Sequence, residues 1–295
     1  MSGARRPSRA QIRRRRGVAV GVLGIVAVAV AYLVLSDAIF GPSNAEIARR
    51  NGDELVHLEI HSRAVGTELG VNVIVPPRAG PRGGRGLLVY LHGRGGYEGT
   101  FNDAVLRGLP LLHGRGPVIA FPAGGDHGYW HNRAGADWDT YVVDEVIPRV
   151  VRRFGVDPHR LAIGGISMGG FGAFDIALHH PGMFCAVGGH SPALWFEGGE
   201  TAPGAFDDAA ADFERNDVVG TVQNDPEAFG DARVWIDYGT EDPFRVYDEG
   251  FVEAMGAGDA DLTAHSWPGA HEGGYWDDHW PDYQRFYVNA LAHCG

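Results

Sequence analysis

The sequence predicts an α/β fold with a mostly parallel central sheet and helices on both faces. Between residues 54 and 293, short apolar runs typical of buried strands alternate with segments whose apolar residues recur at helical spacing. Residues 87–91 and 118–121 are such runs, and residues 141–154 form such a segment. Strands that alternate with helices pair in parallel through crossover connections. No internal repeat or heptad pattern competes with this interpretation.

The remaining elements follow from the same patterns. We expect strands over residues 55–60, 69–75, 161–163, 184–188, 233–238 and 262–267, and helices after residue 167 and over residues 247–255 and 274–292. Residues 192–230 are acidic, rich in Gly and Ala, and weakly periodic, so we interpret them as an insertion over the sheet edge that forms a short cap or lid.

The N-terminus predicts a membrane anchor or an export signal. Seven arginines lie in residues 1–16, and residues 17–35 are uncharged and apolar, long enough to span a bilayer. The small residues around Ser36-Asp37-Ala38 leave a cleaved signal open as the alternative. We then expect a linker over residues 36–53 and the main folded domain over residues 54–295. Both alternatives place that domain outside the cytoplasm, either on the cell membrane or secreted.

The charge distribution excludes several functions. Of 25 basic residues, seven lie in the first sixteen positions, which leaves 18 against 37 acidic residues in the remainder. Such an acidic body repels nucleic acid. The chain contains no lysine, which excludes a Walker lysine, a Schiff base and a Ser–Lys pair. Of the two cysteines, Cys185 lies in an apolar run and is expected to be a packed core residue. A disulfide with Cys294 is allowed, but no sequence feature indicates it.

The stretch Gly165-Ile166-Ser167-Met168-Gly169 carries the main functional signal. It has the pattern G-x-S-x-G between a predicted strand and a predicted helix, which is the context of a nucleophile elbow. Ser167 would stand on a turn so tight that side chains two positions away would collide with it, which explains the two glycines. The amides at the start of the following helix would face an oxyanion.

A serine hydroxyl needs a base and an orienting acid, and both follow later strands. His271 lies in a Gly-rich loop after the last strand and is the best base. Asp242, at the end of the strand over residues 233–238, is favoured as the acid over Glu241 and Asp237. One oxyanion amide is expected at Met168 and the other in the loop after residue 91, near Gly93 or Arg94.

An aromatic loop and a nearby tryptophan suggest a pocket for a sugar or aryl group. Trp130 and Asn132 lie in the loop, and Trp195 lies in the 192–230 segment. These residues are candidates for substrate binding. Core packing is an equally good interpretation of the same aromatic residues.

Several motifs in the same order resemble the α/β-hydrolase superfamily, and its putative-esterase branch most of all. They are the run Leu87 to Gly93, the block Gly165 to Ala173, His180-Pro181 with Phe184, Gly239-x-x-Asp242, and Pro268-Gly-Ala-His271 with Tyr275-Trp276. That branch holds esterase D, feruloyl and other carbohydrate esterases, and mycolyltransferases of the antigen 85 type. The resemblance implies a cofactor-free Ser/Asp/His hydrolase whose second oxyanion amide belongs to Arg94.

The sequence therefore predicts an extracytoplasmic serine carboxylesterase that uses no cofactor or metal and acts on a small-molecule, glycan or lipid ester. The membrane would be a partner through residues 17–35 if that segment is retained. Transfer of the acyl group to a sugar or lipid hydroxyl is an alternative, ranked lower because antigen-85-type enzymes usually have glutamate where Asp242 stands. A catalytically inactive binding module is a third reading, disfavoured because the chain keeps a complete serine, acid and histidine set.

Overall fold

The structure, a computed structural model, describes residues 43–77, 85–100, 116–207 and 210–294. The chain divides into two compact units, Met1–Ile47 and Ala48–Gly295. The predicted basic segment 1–16 and the predicted anchor or signal 17–35 lie outside the described residues. Within the described ranges, no helix is both long enough and apolar enough to cross a membrane.

The predicted linker, residues 36–53, contains a helix, α1 (Asn44–Asn51). The backbone oxygen of Ser43 accepts the N–H groups of Glu46 and Ile47 at 2.9 Å each. Alanine, glutamate and arginine within this stretch favour helix formation. The Gly-Pro breaker at residues 41–42 therefore precedes a helix instead of continuing an extended linker.

Eight strands form one sheet in the order β1-β2-β4-β3-β7-β8-β9-β10. They are β1 (Glu54–His61), β2 (Glu68–Val75), β3 (Arg85–Leu91), β4 (Val118–Pro122), β7 (Val156–Ile166), β8 (Ala186–His190), β9 (Arg233–Gly239) and β10 (Leu262–Trp267). The pairs β1–β2 and β2–β4 are antiparallel, and all other pairs are parallel. Two short strands, β5 (Asn132–Arg133) and β6 (Ala136–Asp137), form a separate hairpin. The predicted mostly parallel sheet is confirmed.

The described helices of the second unit follow the strands in alternation. They are α2 (Trp138–Thr140), which continues through a π-helical segment (Tyr141–Val146) into α3 (Ile147–Phe154), then α4 (Met168–His179), α5 (Ala210–Arg215), α6 (Val218–Asn224), α7 (Arg245–Met255) and α8 (Gly273–Leu291). The helix predicted over residues 141–154 begins three residues earlier, at Trp138. It ends at Gly155, whose φ of 65° is the left-handed conformation common at helix ends.

Helices cover both faces of the sheet, as predicted. In β7, a side chain added at Gly164 would collide with Tyr287 of α8, and one added at Gly165 would collide with Gly169 of α4. Successive residues of a strand point to opposite faces. Helices α4 and α8 therefore pack on opposite sides of the same strand. The strands between them are apolar runs, as expected for a sheet buried on both faces.

The predicted cap segment, residues 192–230, lies between β8 and β9. Its described parts contain a 3-10 turn (Gly198–Glu200) and helices α5 and α6. Apolar residues from both helices, among them Phe213, Val219 and Val222, belong to the hydrophobic core. Much of this segment is thus packed structure, and its role as a cap stays a prediction.

The structure joins Cys185 and Cys294 by a disulfide. Cys185 lies just before β8, and Cys294 follows α8. Cys185, expected as a packed core residue, is half-buried and takes part in the disulfide that the sequence allowed but did not indicate. No local pattern signals this bond, because the fold alone brings two residues 109 positions apart together.

Candidate active site

Ser167 stands on a strained turn between β7 and α4. Its backbone has φ 53° and ψ −119°, a conformation that residues with side chains rarely adopt. A side chain at Gly165 would lie 2.5 Å from the Leu91 oxygen, and one at Gly169 would collide with the same oxygen. The turn therefore requires glycine at both flanking positions, as the sequence pattern predicted.

Backbone hydrogen bonds hold this turn in place. The N–H of Ser167 donates to the oxygen of His190 at 3.1 Å. The oxygen of Ser167 accepts from the N–H groups of Phe171 and Ala193 at 3.0 Å each. Several surrounding bonds thus stabilise the strained conformation and fix the position of the hydroxyl.

The structure brings the three residues Ser167, His271 and Asp242 together. Nε2 of His271 lies 2.8 Å from Oγ of Ser167, and Nδ1 lies 2.9 Å from Oδ2 of Asp242. Each follows the carboxyl end of a parallel strand, so all three meet at one edge of the sheet. With the proton on Nδ1, the ring donates to Asp242 and accepts from the serine hydroxyl.

The carboxylate of Asp242 is held on both oxygens. Its side chain is fully buried, whereas that of His271 is 20% exposed. The second oxygen, Oδ1, accepts the N–H of Phe244 at 2.8 Å. A buried acid with this orientation fixes the tautomer of His271 and can stabilise its charged form.

The two competing acids have other partners. Glu241 is exposed, and its N–H donates to the oxygen of Gly269 at 2.8 Å. Asp237 is fully buried and bonds to four donors, the nearest being His190 and Trp235 at 2.7 Å each. The geometry favours Asp242 as the partner of His271.

The loop after β3 packs directly against the serine. A side chain at Gly93 would lie 3.3 Å from Cβ of Ser167, so the backbone at residues 93–94 adjoins the hydroxyl. The preceding His92 is buried, and burial lowers the pKa of its imidazole. The neutral ring donates from Nδ1 to the oxygen of Gly93 at 2.8 Å and accepts at Nε2 from the N–H of Gly124 at 2.9 Å. The loop that carries Arg94 is thereby fixed.

A cavity of about 780 Å³ opens over Ser167 and His271. Its described lining is mainly aromatic and polar, and consists of residues 93–97, Thr100, Asp126, His127, Tyr129, Ile166, Ala202, Phe244 and Trp276. Phe244 and Trp276 flank the imidazole of His271, each with ring centroids 5.1 Å apart. The cavity can hold a substrate with an apolar or aryl group beside the reacting atoms.

The predicted substrate residues Trp130, Asn132 and Trp195 do not line this cavity. Trp130 is fully buried, and its indole N–H donates to the oxygen of His92 at 3.2 Å. Trp195 packs in the core against Phe171 and other rings. The side chain of Asn132 bonds to Thr140. For the two tryptophans, core packing is the interpretation that the structure supports, because both rings are buried.

Two aromatic residues that line the cavity, Phe244 and Trp276, were not among the predicted substrate residues. Phe244 follows Asp242 by two positions, and Trp276 follows His271 by five, so proximity to the candidate acid and base was a usable signal. Tyr129 lies beside Trp130 in the aromatic loop that suggested a pocket, and it does line the cavity. Among the described residues, no group of three or more His, Cys, Asp and Glu side chains is arranged to hold a metal ion.

Comparisons with known proteins agree with the fold. A family model described as "Putative esterase" matches residues 62–286. The chain belongs to this family. The match covers most of residues 54–295, and the resemblance to the putative-esterase branch is confirmed. The expectation of an esterase is confirmed at the level of the family.

Three curated relatives come from mycobacteria. A protein named as an esterase from Mycobacterium tuberculosis is 29% identical over 181 residues, which are 58% of this chain and 39% of the relative. The MPT51 antigen of Mycobacterium leprae is 28% identical, over 59% and 56% of the two chains. The diacylglycerol acyltransferase/mycolyltransferase Ag85A of Mycobacterium leprae is 25% identical, over 61% and 58%. The chain spans less than two thirds of the length of each.

Solved structures share the fold at low sequence identity. A ferulic acid esterase has a TM-score of 0.71 and 19% identity, with 81% of this chain and 98% of that chain covered. An S-formylglutathione hydrolase from Agrobacterium tumefaciens has a TM-score of 0.66 and 20% identity, with 81% and 96% covered. The predicted α/β-hydrolase fold is thus confirmed.

Proposed function

We propose that the protein is an extracytoplasmic serine carboxylesterase in which Ser167 is the nucleophile, His271 the general base and Asp242 the orienting acid. The observation that carries this proposal is the pair of contacts made by His271, 2.8 Å to the hydroxyl of Ser167 and 2.9 Å to the carboxylate of Asp242. Membership in the esterase family supports it independently.

The reaction would proceed through an acyl-enzyme. Oγ of Ser167 attacks the ester carbonyl while Nε2 of His271 takes the hydroxyl proton. The carbonyl oxygen becomes an oxyanion, which the N–H groups of Met168 and Arg94 would stabilise. His271 then gives its proton to the departing alcohol. Water, deprotonated by His271, attacks the acyl-enzyme and releases the carboxylic acid, which restores Ser167.

Two features support a location outside the cytoplasm. The arginine-rich residues 1–16 precede the apolar residues 17–35, the order of an anchor or an export signal. The Cys185–Cys294 disulfide is the second feature, because such bonds persist mainly in oxidising compartments. The cavity beside Ser167 would then receive a small-molecule, glycan or lipid ester from outside the cell.

Labelling with a fluorophosphonate tests the proposal. We expect one adduct per chain, located on Ser167 by mass spectrometry, and none in Ser167→Ala. Ser191→Ala is the matched control, because Ser191 also follows a parallel strand and also has a positive φ, of 46°. Labelling should persist in that variant. A folded wild-type protein that takes no label would disprove the esterase proposal and favour the inactive binding module.

Acyl transfer is the second candidate, and the similarity to the mycolyltransferase named above favours it. The two reactions share the acyl-enzyme and differ only in the acceptor. Release of p-nitrophenol from a p-nitrophenyl ester, measured with and without a sugar alcohol, separates them. A product that carries the acyl group on the sugar, with little free acid, would identify transfer as the main reaction.

A further inference from the structure

The carboxylate of Asp237 is fully buried in strand β9 and is satisfied on both oxygens. Oδ1 lies 2.7 Å from Nδ1 of His190 and 2.7 Å from Nε1 of Trp235. Oδ2 accepts the hydroxyls of Tyr275 at 3.0 Å and Tyr283 at 2.8 Å. A carboxylate offers about four acceptor sites, so these donors fill it. Asp237 is therefore a rigid anchor for the groups around it.

The surroundings of both tyrosines favour the protonated hydroxyl, which donates the hydrogen bond. Burial raises the pKa of Tyr275 and of Tyr283, and the negative charge of Asp237 raises each further. The two hydroxyls thus make equivalent bonds to the same oxygen. The two tyrosines differ in which segments of the chain their rings and backbones contact.

Asp237 is connected through His190 to the turn that carries the candidate nucleophile, Ser167. His190 bonds to Asp237 through its ring, and its backbone oxygen accepts the N–H of Ser167 at 3.1 Å. The backbone oxygen of Asp237 accepts the N–H of Ser191 at 2.6 Å. Asp237 therefore fixes the end of β8, on which the turn at Ser167 rests.

The anchor is also connected to the loop of the candidate base through Tyr275. Residues 272–274 are exposed and include two adjacent glycines, so Tyr275 is the first buried residue after His271. The ring of Tyr275 also packs under Gly269, where an added side chain would lie 2.7 Å from Cδ2. Tyr275 thus holds the loop on the side that leads into α8. Tyr283 lies eight residues further along that helix, and its described ring contacts are with His190, Trp235 and Trp280.

We propose that Tyr275 is a positioning residue. Its hydrogen bond to Asp237 holds the loop of His271 in place, and so keeps the imidazole within hydrogen-bond distance of Ser167. The inference rests on the proposed function. Removal of the hydroxyl would leave the exposed residues 272–274 to set the position of the imidazole. Small displacements of a reacting group reduce turnover strongly, by up to about 100-fold for 1 Å.

Matched removal of the two hydroxyls tests this role. Tyr275→Phe and Tyr283→Phe each delete one donor to the same oxygen and keep the ring. We expect Tyr275→Phe to lower kcat for a p-nitrophenyl ester by about tenfold with KM within twofold of wild type. Tyr283→Phe should keep kcat within about twofold, with a similar decrease in Tm. Equal kcat values in the two variants, reduced or not, would overturn the inference.

A second measurement does not depend on turnover. The proton on Nδ1 of His271, bonded to Asp242, should give a low-field NMR resonance in wild type and in Tyr283→Phe, and should broaden or vanish in Tyr275→Phe. Equal resonances in both variants would also overturn the inference. If the wild type neither takes a fluorophosphonate nor cleaves esters, the proposed function fails, and the resonances still decide whether Tyr275 positions His271.

Discussion

The Nε2 atom of His271 lies 2.8 Å from the hydroxyl oxygen of Ser167, although 104 residues separate them in the sequence. Two parallel strands bring them together, because β7 ends one residue before Ser167 and β10 ends four residues before His271. Since the carboxyl ends of parallel strands meet at one edge of the sheet, the topology creates the contact. The loops after the two strands then set the final distance between the two atoms.

Replacement of Ser167 by alanine should abolish esterase activity and leave the fold intact. The variant removes one oxygen that contacts only His271 among the described hydrogen bonds. We expect kcat/KM to fall by at least about 10³-fold. Hydrolysis of p-nitrophenyl esters and circular dichroism check the two parts. A variant that retains one tenth of the activity would show that Ser167 is not the nucleophile.

The acid can be identified by comparing neighbours. Asp242→Asn keeps the shape of the side chain but removes its charge and favours the wrong tautomer of His271, so kcat should fall by about 10⁴-fold. Glu241→Gln is the control and should retain kcat within twofold, because Glu241 is exposed and its known bond is through the backbone. Steady-state assays measure both values. A large loss of kcat in Glu241→Gln, with kcat retained in Asp242→Asn, would assign the acid to Glu241.

Two buried histidines should each reduce stability as the pH decreases below about 6.5. Burial lowers the pKa of His92 and of His131 in the folded protein. The unfolded chain takes up protons on these rings near pH ~6.5, and the folded protein does so only at lower pH. At these two rings the unfolded state therefore binds more protons in that window, which favours unfolding. Buried carboxyls with a raised pKa, namely Asp53, Asp175 and Asp248, act in the opposite direction, so the contribution of His92 is measured as a difference between variants. Urea unfolding at pH 7.5 and 5.5 gives the change in the free energy of unfolding on acidification, and this change should favour the folded state more in His92→Gln than in wild type.

Loss of the Cys185–Cys294 disulfide should destabilise the protein without direct effect on the chemistry. The bond closes a loop of 109 residues, and removal of such a bond typically costs about 2–4 kcal/mol in the free energy of unfolding. It lies at the amino end of β8, whereas the candidate site lies at the carboxyl ends of the strands. The double variant Cys185→Ser/Cys294→Ser should unfold at lower urea concentration and keep kcat within twofold. A wild type whose unfolding midpoint is unchanged by dithiothreitol would contradict this expectation.

The sequence predicted those features of the fold and of the candidate site that depend on a local pattern of residues. The apolar runs predicted the sheet, and the glycines around Ser167 predicted the turn because backbone collisions at those two positions are a local matter. The disulfide and the Asp237 anchor were not predictable in this way, since both join residues that only the folded chain brings together. For Trp130, the sequence left substrate binding and core packing equally open. Tyr129 and Trp130 have φ values of 47° and 63°, and aromatic residues give no sequence signal of that conformation.

The disulfide also determines what a single proteolytic cut would do. Residues 196–200 are exposed and lie between the two cysteines. A cut there would leave Ser167 on one fragment and both Asp242 and His271 on the other, still linked through Cys185 and Cys294. The nicked protein would migrate at full length on a non-reducing gel and as two bands after reduction. A chain in two pieces would thus keep the nucleophile tethered to its base.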